Sequence, residues 1–396
     1  MLYIFLFFIL GILIGLIAGL VPGIHPNLFA LLVSTIFIRL FSEPIYALVF
    51  LVSMGITNSI ASFIPTIILG APDPEDSLAA LPGHRMLLKG LGYYAIKLTV
   101  LGSIVSIFLS ILLLFFISPI LQPSYQFLRR YIHIILLIVV FALIIKERKI
   151  FTATFCFILS GILGIVSLSI PINRSLLLFP ILTGLFGLPM LIISLKNEPK
   201  IPFQSTKEMK ISKKTINKNL FLGTVAGFIT GILPGVGAAQ ATAIASIGER
   251  NDEGFLISIG ATTTANILFS FLSIWLIGRP RSGLAVAVSK IMQIGFDEFV
   301  LMIMVSLLSG LISAFLTLKI SKKVLNYISN IDYKKLNISV IILISVVTLW
   351  LTGIYGILLL ITSTSLGLFT ILSNVRRMHL MGVLILPTIL FFAGVL

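Results

Sequence analysis

One Gly/Pro pattern occurs twice in this chain, each time inside an apolar run. Gly11, Gly15, Gly19, Pro22 and Gly23 recur 212 positions on, as Gly223, Gly227, Gly231, Pro234 and Gly235. A hydrophobic segment interrupted by Gly and Pro at matching places in two halves points to a membrane transporter with its binding site at the interruptions. The surroundings leave no soluble alternative. Of the 396 residues, 58% are hydrophobic and 10% are charged, and no soluble domain of this size buries nearly all of its residues. Each span needs about 20 apolar residues, so the length accommodates about ten to fourteen.

Apolar segments fall near 2–20, 24–41, 44–69, 93–120, 131–145, 150–170 and 175–195, and again near 219–232, 236–248, 255–277, 297–318, 338–351, 353–373 and 380–396. Between the two series lies a polar connection, 196–218, carrying Lys196, Lys200, Lys207, Lys210, Lys213, Lys214 and Lys218. The pattern predicts an all-α polytopic membrane protein of two homologous halves, 1–195 and 219–396, joined by a basic cytoplasmic linker. Each half holds a Pro-Gly-broken helix or a re-entrant hairpin. The match extends past the glycines: Gly70 and Pro72 recur as Gly278 and Pro280, 208 positions on. The polar run Thr57-Asn58-Ser59 is matched to Thr262-Thr263-Thr264, near 205.

The net charge of +15 does not imply nucleic acid, because the basic residues cluster in loops as the positive-inside rule describes. The clusters are Lys146, Arg148 and Lys149; the 196–218 connection; Lys319, Lys322, Lys323, Lys334 and Lys335; and Arg376 with Arg377. Counting spans between them puts all four in the cytoplasm, the N-terminus outside, and the two halves in inverted orientation. Arg129, Arg130, Arg279, Arg281 and Lys290 then lie outside, against the rule. Leu2 to Leu20 lacks a basic n-region and is expected to be the first membrane segment rather than a cleaved signal. Cys156 is the single cysteine, so no internal disulfide is expected.

The chemistry is expected at the breaks. Pro22 lacks a backbone N–H and Gly23 tolerates positive φ, so a half-helix can end there and restart at His25-Pro26-Asn27. Pro234-Gly235-Val236-Gly237 does the same in the second half. Each restart leaves free N–H groups and a partial positive charge of about half a unit, which attracts an anion without a full charge in lipid. The candidate substrate-binding set is Pro22, Gly23, His25, Asn27, Asn58, Ser59, Pro234, Gly235, Gly237, Gln240, Thr263 and Asn266. Hydroxyl and amide oxygens near Thr57, Asn58, Thr262 and Thr263 would also suit a sodium ion. The glycine series is read mainly as a packing face. Pro82-Gly83-His84-Arg85 is read as a gate or a solvated turn, His133 and His379 as interfacial residues, and Asp297 with Glu298 as helix-start residues. No Walker A, H-E-x-x-H, G-x-S-x-G or paired CxxC motif is present. An enzyme is therefore not expected, nor a cofactor, and transport would be secondary, with sodium or protons as candidate coupling ions, or would rely on an unseen partner.

Gly19-Leu20-Val21-Pro22-Gly23 and Gly231-Ile232-Leu233-Pro234-Gly235-Val236-Gly237 resemble the paired Pro-Gly signatures of TctA-type permeases, the large membrane subunits of tripartite tricarboxylate transporters. Ile68-Leu69-Gly70-Ala71-Pro72-Asp73 and Leu81-Pro82-Gly83-His84 are similar to a further first-half region of that family, of which this chain would be a short, divergent member. The resemblance implies uptake of an organic anion across the cytoplasmic membrane, an ion gradient, an extracytoplasmic binding protein and a small membrane subunit. In the leading reading one half rocks against the other. Two alternatives stay open: a transporter of a lipid-linked anion such as polyprenyl phosphate, and a membrane-embedded lipid enzyme.

Overall fold

Hydrocarbon offers the backbone no hydrogen-bond partner, so a chain this apolar must satisfy its own N–H and C=O groups within each run. The computed structural model describes residues 2–21, 43–69, 80–172, 174–197, 201–205, 211–232, 238, 241–242, 251–328 and 332–395, and the runs among them are helical. The first half contributes α1 (Leu2–Leu20), α2 (Pro44–Ala61), α3 (Phe63–Leu69), α4 (Ala80–Leu88), α5 (Gly92–Arg129), α6 (Ile132–Ile145) and α7 (Ile150–Leu168). It closes with α8 (Arg174–Leu182), a π-helical turn (Thr183–Gly187) and α9 (Leu188–Asn197). The second half contributes α10 (Lys213–Ile232), α11 (Asp252–Ile277), α12 (Gly283–Ile291), α13 (Phe296–Ile328), α14 (Tyr333–Leu372) and α15 (Gly382–Phe392). Eight of the described helical stretches are long and apolar enough to cross a membrane, and Ile132–Ile145 and Arg377–Phe392 are shorter apolar ones. Phe115, Phe151 and Trp350 are largely exposed, as side chains against lipid are.

Local sequence sets the helix ends. Pro44 opens α2, where its missing N–H costs nothing. Asn251 caps α11 by accepting from the Glu253 N–H at 3.1 Å, and Gly278 closes that helix at φ 66°, a left-handed position that glycine fills readily. Asp332 caps α14 through the Lys334 and Lys335 N–H groups. Inside α14, Gly353 has φ 59° and ψ −152°, a region essentially reserved for glycine. Asn337 bonds Ser194 of α9, Gly367 lies against Leu185 and Pro189, and Leu360 lies against Gly184. The chain therefore reverses at Gly353, and α14 is two antiparallel arms rather than one rod.

Helix packing divides the described residues into two bundles that cut across the two halves. The first bundle holds α1 to α5 and α10 to α13; the second holds α6 to α9, α14 and α15. Within each bundle, helices are exchanged between halves. In the first, α11 packs on α5 while α13 packs on α2. In the second, α7 packs on α15 while the second arm of α14 packs on α8 and α9.

The exchange is matched residue by residue. Gly164 of α7 abuts Val383 and Pro387 of α15; Gly367 of α14 abuts Leu185 and Pro189. Gly382 abuts Phe157 and Ser160; Gly184 abuts Leu360 and Ser363. The register is thus 203 from Ser160 to Ser363 and 198 from Gly184 to Gly382.

Candidate functional site

The two glycine series lie where the sequence expects packing. Gly11, Gly15 and Gly19 press α1 onto α2, and Gly223, Gly227 and Gly231 press α10 onto α11. Small residues let helix backbones meet where lipid supplies no hydrophobic drive. Gly19 faces the Asn58 carbonyl and Ala61, and Gly231 faces the Asn266 carbonyl and Phe269; Gly15 faces the Met54 carbonyl, and Gly227 the Thr262 carbonyl.

These contacts correct the match made from polar runs. The register of α2 on α11 is 208, the same as Gly70 on Gly278, so Asn58 corresponds to Asn266 and Ser62 to Ser270. Thr57-Asn58-Ser59 does not correspond to Thr262-Thr263-Thr264. Similar hydroxyl content misled because threonine serves both helices in unrelated contacts.

Asn58 is 2% exposed, and its Nδ2 has no hydrogen-bond partner among the described residues. The same holds for the Thr264 and Ser270 hydroxyls. An orphaned buried donor of this kind costs about 1–3 kcal/mol. Asn266 is 8% exposed. The neighbouring hydroxyls are engaged locally. Ser59 donates to the Ile56 carbonyl at 2.8 Å and Thr263 to the Ile259 carbonyl at 3.0 Å. Thr57 accepts from Ser313 of α13 at 2.7 Å. Thr262 bonds the Gly223 carbonyl at 3.1 Å and accepts from Thr242 at 2.8 Å. Thr57 and Thr262 thus tie helices together at non-equivalent places. Pro22, Gly23, His25, Asn27, Pro234, Gly235, Gly237 and Gln240 lie outside the described residues.

The Pro82-Gly83-His84-Arg85 stretch is helical, in α4. His84 Nδ1 is 3.1 Å from the Ile67 carbonyl, and its ring stacks on Tyr333 with centroids 6.2 Å apart. Burial holds the His84 ring below its ordinary pKa of 6.5, outweighing the Ile67 and Ile68 carbonyls. The Tyr333 hydroxyl donates to the Ile68 and Leu69 carbonyls at 3.2 and 2.9 Å. Those carbonyls end α3, so Tyr333 bonds the second bundle to the first. Arg85 pairs with Asp252 at 2.5 Å, joining α4 to the start of α11.

His379 is buried, not interfacial. It is 2% exposed and its Nε2 lies 3.1 Å from Glu147, which Arg376 also meets at 3.1 Å. Lys149 donates to the Ser373 carbonyl. Gln204, in the linker, takes the Gly92 N–H and gives to the Leu87 carbonyl. Leu325, near the end of α13, also packs beside Gly92. The turn at 146–149, the linker at 204, the start of α14 and the 373–379 turn therefore gather at one end of the molecule. Arg281 bonds Tyr125 at the other end of α5. Glu298 takes the Gly295 N–H at 2.9 Å, a helix-start contact as read from sequence.

Sequence reasoning missed Tyr333, which carries no local signature, and the second-bundle contacts, which do. Gly184-x4-Pro189 and Gly382-x4-Pro387 form a second repeated doublet.

Two exchanged helix bundles, repeated small-residue faces and eight long apolar helical stretches define a multi-pass membrane protein of the transporter class. The family model of the tripartite tricarboxylate transporter TctA family matches residues 5–382, and the chain belongs to that family, which is one of transporters rather than enzymes. It is 35% identical over 354 residues to the uncharacterized protein MJ1079 of Methanocaldococcus jannaschii, covering 87% of this chain and 88% of that protein. No solved structure matches the chain. The cytoplasmic membrane is the usual location for the family.

Proposed function

We propose that this chain is a permease that moves a small di- or tricarboxylate-like anion across the cytoplasmic membrane by alternating access, coupled to sodium or protons. The family match along nearly the whole chain carries the reading. An extracytoplasmic binding protein and a small membrane subunit are the partners that the tripartite family implies. The basic turns gathered at one end support a cytoplasmic position for that end. α2 with α3 runs toward that end, where Leu69 meets Tyr333. α11 runs away from it, starting at the Arg85–Asp252 pair. That opposition supports inverted repeats, the arrangement in which a site near the midplane is opened to either side in turn.

In this reading the moving bodies are the two bundles rather than the two halves. Helices exchanged in both bundles interlock the halves, whereas between the bundles the Tyr333 hydroxyl bonds the end of α3 and its ring stacks on His84. The first bundle therefore moves against the second. The experiment is uptake into proteoliposomes of labelled citrate, succinate and polyprenyl phosphate, under a sodium gradient, a proton gradient or neither. Gradient-dependent carboxylate uptake supports the reading. Movement of polyprenyl phosphate alone replaces it with the lipid-linked alternative.

A further inference from the structure

We propose that Asn58 and Asn266 are a matched pair of amide donors that hold the transported anion, one from each half; this rests on the carboxylate reading above. Backbone contacts, not similarity of sequence, set the match. The same face of a glycine helix meets the Asn58 carbonyl through Gly19 and the Asn266 carbonyl through Gly231. One turn further on, Ser62 and Ser270 occupy the same face in an Asn-x3-Ser pair at i and i+4. Their helices, α2 and α11, also pack on each other, so the equivalent positions sit on mates that share an interface.

Two of these groups are buried with no partner among the described residues: the Asn58 Nδ2 at 2% residue exposure and the Ser270 hydroxyl at 0%. Asparagine kept only to glue helices together would donate to a neighbouring helix, as Ser103 does to the Gly260 carbonyl. An unpaired donor favours an acceptor-only ligand. A carboxylate has about four acceptor sites and no donor, and an amide meets it without placing a lysine or arginine in lipid.

Citrate binding to the full chain in lipid nanodiscs, followed by titration calorimetry, tests the pair. Asn58→Asp and Asn266→Asp keep shape and replace a donor with a like charge. Each should weaken citrate binding about 10- to 100-fold, the range of a hydrogen bond to a charged group. Binding is compared only for variants whose unfolding temperature stays within the range of Ser106→Ala, whose hydroxyl is spent on the Ser103 carbonyl inside α5. Where an aspartate variant does not yield folded protein, Asn58→Ala and Asn266→Ala read the same loss. Wild-type binding with undiminished binding in both folded variants overturns the pair and leaves the carboxylate reading standing. No binding of citrate, succinate or malate by the wild-type protein overturns both.

Discussion

Tyr333 holds the C-terminal carbonyls of α3 from the start of a helix in the other bundle. Tyr333→Phe keeps the ring stack and removes the hydroxyl. The expected loss is about 0.5–1.5 kcal/mol per hydrogen bond, read as a lower unfolding temperature in nanodiscs; an unchanged temperature would mean the bond contributes nothing. His84, beneath the same ring, gives stability a pH dependence of definite sign. Its folded pKa is depressed, so between that value and about 6.5 the unfolded chain binds the extra proton. Stability is fully present above that window and falls as pH drops through it. Between pH 7.5 and 5.5 the unfolding temperature of the wild type should fall more than that of His84→Gln. Equal falls would show that the ring is not held neutral. His84 was visible in the sequence because it sits in a Pro-Gly-His-Arg stretch. Tyr333 was not, since one tyrosine before two lysines looks like any interfacial residue, and only its reach to a distant helix end gives it a role.

At the level of helices, the apolar runs were legible because lipid forces each into a helix. Even the division of α14 was readable, from the gap between the 338–351 and 353–373 runs. Gly353 makes that reversal at φ 59° with open space around it. Gly353→Ala should therefore cost about 1–3 kcal/mol through backbone strain alone, seen as loss of thermal stability; an unaltered protein would mean the reversal relaxes freely. Gly164 and Gly367 test the opposite mechanism. Each lies against a carbonyl of the partner helix, so Gly164→Val and Gly367→Val should both destabilise by about 1–3 kcal/mol, and by similar amounts because their surroundings match. A large effect at one and none at the other would break the equivalence. The 208 register of α2 on α11 was misread because polar content repeats loosely. Close backbone approach is stricter, and it is not visible until the partner helix is known.

Across the whole molecule, the two bundles and the two halves give different predictions. The Thr370 hydroxyl lies 3.3 Å from Cys156 Sγ, one on α14 and the other on α7. Thr370→Cys, oxidised, would link the halves inside one bundle. Uptake should survive the link, as a rigid bundle requires; uptake that stops on oxidation and returns on reduction would mean the halves move apart after all. None of this exchange is legible from composition or periodicity, because a helix shows the same apolar pattern whichever half it packs against. The exchange also has a consequence for how the protein is made. Synthesis runs from the N-terminus, so α7 and α8 enter the bilayer long before α15 and α14 exist. Until then the glycine faces at Gly164 and Gly184 are turned to lipid, with ungripped small-residue surfaces that other membrane helices can occupy. Assembly of the second bundle is therefore a late step that waits for the last helices of the chain, and a ribosome stalled before α14 leaves behind a product with an unclaimed docking face, a natural target for membrane quality control.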